Sequence, residues 1–247
     1  VLDLPAFQIS LYPITYAQFQ AFLDDGGLKD GRWWSGWPEK VKPRFGDEYP
    51  IREMQEQRFQ YGNHPRENVS WYQAMAFCRW WSSKLGGSYD LDKVAEWKVR
   101  LPTEFEWEKA ARWTDGRQYP YGNTFDANKG NTSETGIRMT SAVGIFTEGA
   151  SPYGVLDMSG NVWEWCLTDY QSLQPDAAQE NVRSKSTWVL RGGSWHYGRD
   201  HARAAYRNPD DPRAAYRRRS SPHPRSNNIG FRVVCGVLRA GQAPPLR

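Results

Sequence analysis

Four histidines and three cysteines are the residues of this 247-residue chain best suited to metal or redox chemistry. Thiol chemistry needs a reactive thiolate beside a second thiol or a soft metal. Cys78, Cys166 and Cys235 stand far apart, and three is an odd number for a disulfide framework. Buried or idle thiols in a reducing compartment are the plainer reading. His196 and His201 lie in one Gly-containing stretch, and His223 sits between prolines. Three histidines could hold Zn or Fe, but exposed loop histidines are the commoner explanation. Glu104, Glu106 and Glu108 alternate at what reads as a helix start, where capping and the helix dipole account for them. No Ser-His-Asp order, phosphate-cradling glycine loop or paired-carboxylate cleft stands out.

A stronger signal is an absence. Residues 196–241 contain no Lys, Glu, Gln, Trp or Met, although these five types supply 51 of the 247 residues. None of the five has a codon ending in a pyrimidine. Rewriting many codons in their first two positions only would leave this gap. That points to diversification, and diversified surfaces usually bind. A GC-rich genome would favour Arg, Ala and Pro, but the chain uses 13 Trp elsewhere.

Charge follows the same division. Residues 196–232 hold nine Arg and three Asp, a net of +6, against about −2 for the remainder of a chain of net charge +4. A basic strip raises nucleic acid as a partner. The arginines, however, are interleaved with Asp and Pro at no regular spacing, and Arg is also an anchor of protein interfaces. Nucleic acid is therefore disfavoured. The 23 Arg against 9 Lys point to a GC-rich genome or a thermophile. With a mean hydropathy of −0.79, no apolar run approaches the roughly 18 residues that span a bilayer, so no membrane partner is expected. The first residues alternate without a basic start, which argues against a signal peptide and favours the cytoplasm. The chain begins without Met inside a strand-like pattern and reads as an excised domain.

The elements that must position these residues are short. Residues 5–12 alternate as a strand. Thr15 reads as the N-cap of a helix with Phe19, Phe22 and Leu23 on one face, and Ser70 caps a second carrying Trp71, Ala74, Phe77, Cys78 and Trp81. Thr103 and Glu106 form a capping box ahead of Trp107, Ala110 and Ala111. Residues 24–63 form a long loop containing Trp33, Trp34 and Trp37. Later strands are expected at Val143–Phe146, Val162–Trp165, Trp188–Leu190 and Ile229–Val234. Trp163 and Trp165 flank Glu164, so strand alternation places one in the core and leaves the other partly exposed.

Five segments in order resemble a known family: His64-Pro65 with Asn68-Val69-Ser70-Trp71; Arg100-Leu101-Pro102-Thr103-Glu104 through Arg112; Tyr153-Gly154-Val155 through Trp165; Arg191-Gly192-Gly193-Ser194-Trp195; and Gly230-Phe231-Arg232. They are similar to the formylglycine-generating-enzyme (sulfatase-modifying factor) domain, over about residues 5 to 235. The resemblance implies an α+β architecture, a variant of the C-type lectin fold that is loop-rich with few short helices and strands, here as one domain over 1–247. It also implies a cysteine pair between the Arg-Gly-Gly-Ser and Gly-Phe-Arg motifs, oxidising a substrate cysteine with copper. Residues 195–229 contain no cysteine, so that reaction is not expected. A related branch, the sulfoxide synthases of thiohistidine biosynthesis, uses iron-binding histidines in a separate helical domain. Upstream of the motifs this chain offers only His64. The family's turn at Gly160-Asn161 can ring a calcium ion, with Ser159, Gly160, Val162 and Glu164 at the matching positions. Calcium there, or a turn tied by hydrogen bonds alone, are both left open; no other cofactor is required.

Within this fold class the chain also resembles the variable proteins of diversity-generating retroelements. Their reverse transcriptase miscopies adenines in codons of two adenines and a pyrimidine, over a segment ending at Gly-Phe-Arg. Residues 196–228 fit the resulting vocabulary. The resemblance implies a ligand-binding protein whose partner, a protein, differs between variants, with no catalysis. The alternative is a formylglycine-generating-type oxidase or related cofactor enzyme with relocated catalytic residues. The ligand-facing positions are His196, Tyr197, Gly198, Asp200, His201, Tyr206, Asn208, Asp210, Tyr216, Arg218, Ser220, Ser221, His223, Ser226 and Asn227. Arg191, Gly192, Gly193, Trp195, Gly230, Phe231 and Arg232 are expected as scaffold beneath them, with Arg203 and Arg207 hydrogen-bonding carbonyls.

Overall fold

A computed structural model describes residues 4–41, 48–86, 98–170, 188–210 and 227–236, with the side chains of 208–210 excepted. Three helices form where the sequence supplies caps. Thr15, Ser70 and Thr103 each accept a hydrogen bond from the N3 amide, while Gln18, Gln73 and Glu106 reach back to the cap amide. These boxes open α1 (Tyr16–Asp24), α2 (Trp71–Lys84) and α3 (Glu104–Arg112), satisfying amides that a helix start leaves without partners. Phe19 and Phe22 of α1 are buried against Phe77 of α2, with ring centroids 5.5 and 6.0 Å away.

The strands are short and gather in small sheets, so the architecture is α+β and loop-rich. β1 (Phe7–Ile9), β9 (Val234–Gly236) and β4 (Lys98–Arg100) form one antiparallel sheet with β9 in the middle. A second has the order β7 (Asn208–Asp210), β6 (Trp188–Arg191), β5 (Trp163–Asp169), β8 (Ile229–Gly230). In it β5 and β8 run parallel and the other pairs antiparallel. A ribbon of β2 (Lys40–Val41) and β3 (Tyr49–Pro50) interrupts the long Trp-containing loop. The chain therefore passes from one main sheet to the other within Phe231-Arg232-Val233.

Several expectations need correction. The first strand covers only Phe7–Ile9 rather than 5–12. Val143–Phe146 is a turn, not a strand: Gly144 has φ +75° and its amide donates to Asp157 Oδ2 at 2.6 Å, which fixes a bend where alternation suggested pleat. Ile229–Val234 is two strands, because Arg232 turns into the interior between them. Trp163 and Trp165 are both buried, at 1% and 0% exposure. Residues two apart in a strand share a face, so alternation sets both rings on one side of β5 with Glu164 on the other, and the expected split between them does not arise. Trp165 donates to Val69 O at 2.9 Å beside α2, whereas Trp163 packs against Tyr197, His201 and Tyr206.

Replacing Trp165 by Ala removes a fully buried ring and its hydrogen bond, and should cost about 3–5 kcal/mol. Denaturant unfolding checks this; an unchanged midpoint would place the core elsewhere.

Candidate functional site

The site is built on β5, β6 and the turn that precedes β5. Gly160 lies at φ +94°, and a Cβ there would meet Asn131 O at 2.1 Å, so the backbone itself packs against the 130–132 segment. Asn161 then fixes the turn: its Oδ1 accepts from Ser141 N, its Nδ2 donates to Ser141 O, and its O accepts from Trp195 N. Just past the end of β6, Gly193 lies at φ +76°, and a Cβ there would come within 3.0 Å of Ala202 Cα and His201 O. Beneath both turns sits Glu164, fully buried with Arg232. Arg232 donates Nε to Glu164 Oε2 at 2.6 Å and Nη2 to Oε1 at 2.7 Å, and Trp107 Nε1 adds a bond of 2.5 Å to Oε2.

From Ser194 the chain emerges into the loop 196–207. Its attachments run largely through its main chain. Tyr197 N donates to Ser194 O and Ser133 N to Tyr197 O, both at 3.0 Å. Arg199 N donates to Glu134 Oε1 at 2.8 Å, Ala204 N to Gln118 O at 2.8 Å, and Ser159 Oγ to Ala202 O at 3.2 Å. Arg191 Nη1 donates to Tyr206 O at 2.9 Å. Internal turns close through His201 N to Gly198 O and Tyr206 N to Arg203 O. The side chains that point inward are small: Ala202 and Ala204 are 0% exposed. His196, Arg199, Asp200 and Arg203 are exposed, and Tyr197, His201 and Tyr206 are half-buried.

Those rings form a chain: His196 to Tyr197 at 5.6 Å, Tyr197 to His201 at 4.9 Å, and His201 to Tyr206 at 4.8 Å between centroids. Trp163 underlies the last three at 5.7, 6.3 and 5.8 Å. Asp200 pairs with Arg203 at 2.8 Å.

The structure thus brings together His196, Tyr197, Gly198, Asp200, His201 and Tyr206. A Cβ on Gly198 would come within 3.1 Å of Glu134 Oε1, the mobile end of a side chain. Asn208 and Asp210 belong to β7, paired with Leu190 and Trp188. Tyr216, Arg218, Ser220, Ser221, His223 and Ser226 lie outside the described residues. Asn227 is a correction: it is 4% exposed, and its carbonyl accepts from Trp195 Nε1 at 3.3 Å, so it belongs to the support. The expected scaffold is buried, with Arg191, Phe231 and Arg232 at 0% and Trp195 at 8%. Phe231 nevertheless packs with Phe19 and Phe77 rather than with the loop rings.

The arginine and glutamate roles also differ from expectation. Arg207 meets a carboxylate, not carbonyls: Nε and Nη2 donate to Glu104 at 2.5 and 2.8 Å. Arg203 is exposed and pairs with Asp200. Besides starting α3, Glu106 binds Arg100 at 2.6 Å and Glu108 binds Arg191. The alternation that reads as capping in sequence is also a row of three clamps, two of them on the loop's flanks.

A model of the sulfatase-modifying factor enzyme 1-like domain matches residues 1–237. The chain belongs to that family. It is 32% identical over 244 residues to the hercynine oxygenase of Mycolicibacterium thermoresistibile, covering 86% of this chain and 49% of that protein. It therefore spans about half the length of that relative. The inactive C-alpha-formylglycine-generating enzyme 2 of Bos taurus is 31% identical over 269 residues, covering 94% of this chain and 78% of that protein. Among solved structures, Treponema denticola variable protein 1 superposes with a TM-score of 0.63 at 23% identity, covering 93% and 84% of the two chains. PvdO from Pseudomonas aeruginosa gives 0.62 at 25%, covering 94% and 80%.

Against this family background, the thiols and the calcium turn can be tested. Cys78 and Cys166 are fully buried, and burial pushes the Cys166 thiol well above its ordinary value; Cys235 is raised by burial too. Cys166 lies in the buried cluster that includes Ala204 of the loop. The Gly160 turn does not fit calcium through Glu164, because both carboxylate oxygens accept from Arg232. A guanidinium at hydrogen-bond distance occupies the place a cation would need. Among the described residues no three His, Cys, Asp or Glu side chains converge as a metal-binding group, and no helix is long and apolar enough to cross a membrane.

Sequence reasoning missed a buried polar knot behind the site. Glu67 is 0% exposed, and its Oε1 accepts from the amides of Arg58 and Phe59, while Phe59 packs on Trp195 at 5.9 Å. Burial raises the Glu67 carboxyl from 4.5 to about 7, and likewise Asp157 from 3.8 to about 6. Both carboxyls therefore hold protons more tightly folded than unfolded. Folding takes up protons between each pair of values, so stability should fall as pH rises from about 4 to about 7. Glu67→Gln keeps the acceptor oxygen and removes the charge. It should raise the melting temperature at pH 8 by several degrees, at about 2–4 °C per kcal/mol, and flatten the decline above pH 5. Melting curves from pH 4 to 8 measure this; an undiminished slope would show that Glu67 does not titrate in that window.

Proposed function

We propose that this chain is a non-catalytic binding protein whose segment 196–228 is a diversified surface, as in the variable proteins of diversity-generating retroelements. The observation that carries the reading is the main-chain anchoring of the loop. Ser133, Glu134, Gln118, Ser159 and Arg191 hold it by backbone atoms that every amino acid except proline shares. Side chains at 196, 197, 200, 201 and 206 can then change without releasing the loop. The missing residue types supply the independent support, because the gap begins at His196, where the buried motif ends. A solved structure of this fold is itself named a variable protein.

The partner is a protein that differs between copies. Tyr and Arg on a fixed backbone are residue types that interface anchors and antibody paratopes use. No membrane or cofactor is needed for such a role, and the cytoplasm suits the three free thiols. A C-type lectin variant supplies the loop-tolerant frame. The family relationship to hercynine oxygenases favours an enzyme as the second reading. The buried, raised thiols and the absence of cysteine from residues 195–229 stand against the formylglycine-generating reaction itself.

Random replacement of surface side chains usually changes stability by no more than about 0.5 kcal/mol each, whereas core replacement costs several. A library randomised at 196, 197, 200, 201 and 206 should therefore remain mostly folded, with melting temperatures within several degrees of the parent. Majority unfolding would refute a diversified surface at these positions.

A further inference from the structure

Among the described residues two buried tryptophans, Trp163 and Trp188, have no acceptor for the indole N–H; Trp188 is stacked on Trp71 at 4.2 Å, whereas Trp163 packs against rings of the loop. The indole nitrogens of Trp34, Trp71, Trp107, Trp165 and Trp195 each donate to an oxygen 2.5 to 3.3 Å away. Trp163 is 1% exposed, and its Nε1 has no acceptor. A buried donor left unpaired is costly and calls for an explanation. Its ring is covered by Tyr197, His201 and Tyr206, which belong to the loop segment and are themselves partly exposed. Trp163 belongs to β5, outside that segment.

Resting on the binding reading above, we propose that Trp163 is a constant, ligand-contacting floor of the site, and that the ligand is a protein presenting a proline or aromatic side chain. The side chain seats between the Tyr197, His201 and Tyr206 rings, and a neighbouring main-chain carbonyl accepts from Trp163 Nε1. Indole is a donor only, so its partner must be an acceptor, and every peptide ring has a carbonyl close by. Rotation of the covering rings opens the way, the kind of side-chain change common at interfaces. The polar neighbours favour a peptide over a sugar. Asp200 is paired with Arg203, and Glu134 is occupied by the Arg199 amide. Both of these carboxylates are thus engaged, and beside the Trp163 N–H there remain the Tyr197 and Tyr206 hydroxyls and the His201 imidazole. Loop variants would gate the same floor: small residues at 197, 201 and 206 expose it, and rings close it.

The test is selection of random displayed peptides of about a dozen residues on the whole chain, with soluble oligosaccharides screened alongside. Enriched peptides should share a proline or aromatic residue. On binding, the Trp163 indole N–H resonance should move downfield and its solvent exchange should slow. Trp163→Phe, which keeps an aromatic floor and removes the donor, should weaken binding about tenfold, the loss of one hydrogen bond. The resonance is read on the unsubstituted protein, so it decides the matter even if that variant folds poorly. Peptides that bind without moving the resonance overturn the floor while leaving the diversified surface intact. Oligosaccharide binding in place of peptides overturns the ligand class, and failure of the randomised library to fold would bear on the surface alone.

Discussion

The Glu164–Arg232 pair joins the two main sheets to α3 beneath the loop. Both side chains are 0% exposed. Glu164 belongs to β5, opposite Arg191 of β6 on one side and Gly230 of β8 on the other. Arg232 lies where the chain leaves β8 for β9, and it also donates to Ser10 O and Leu156 O. Trp107 brings α3 to the same carboxylate. One ion pair thus ties two sheets, a helix and the N-terminal segment. Removing one partner of such a pair strands a buried charge, at a cost of about 3–5 kcal/mol. Its geometry accounts for why an arginine interrupts what the sequence presents as one apolar strand.

From that hub outward, the molecule trades regular structure for fixed turns. Gly160 and Gly193 allow backbone to approach backbone more closely than any side chain permits. The α3 glutamates then brace the loop's flanks through Arg191 and Arg207. The result is a surface loop held from below by main-chain hydrogen bonds and by the buried Ala202 and Ala204, with Tyr197, His201 and Tyr206 laid over Trp163. Such a support does not depend on the outward side chains, and this is the property a diversified surface requires.

Local chemistry was the legible part of this fold. The three capping boxes, the helix faces of α1 to α3 and the strands β5 and β6 follow from residues close together in the chain. Partnerships between distant residues were not legible. Glu104 and Arg207, or Glu164 and Arg232, meet only through folding, so Glu164 could be mistaken for a cation ligand and Glu104 for a cap alone. The expectation failed where two residues of one strand face were set apart, as at Trp163 and Trp165, and where a glycine turn interrupts an apolar run, as at Gly144. In the site, composition marked out the segment that begins at His196. The buried place of Asn227 was not, because its role is to offer a carbonyl to Trp195.

The central claim is that the loop's conformation belongs to its backbone and its supports, not to its outward side chains. Amide hydrogen exchange tests it most directly, comparing the natural chain with one in which Tyr197, His201 and Tyr206 are all replaced by Ser. The bonded amides of Tyr197, Arg199, His201, Ala204 and Tyr206 should keep the same order of protection in both proteins. Loss of protection across the loop in the substituted protein, with the core amides unchanged, would show that the rings hold the loop and would contradict the account.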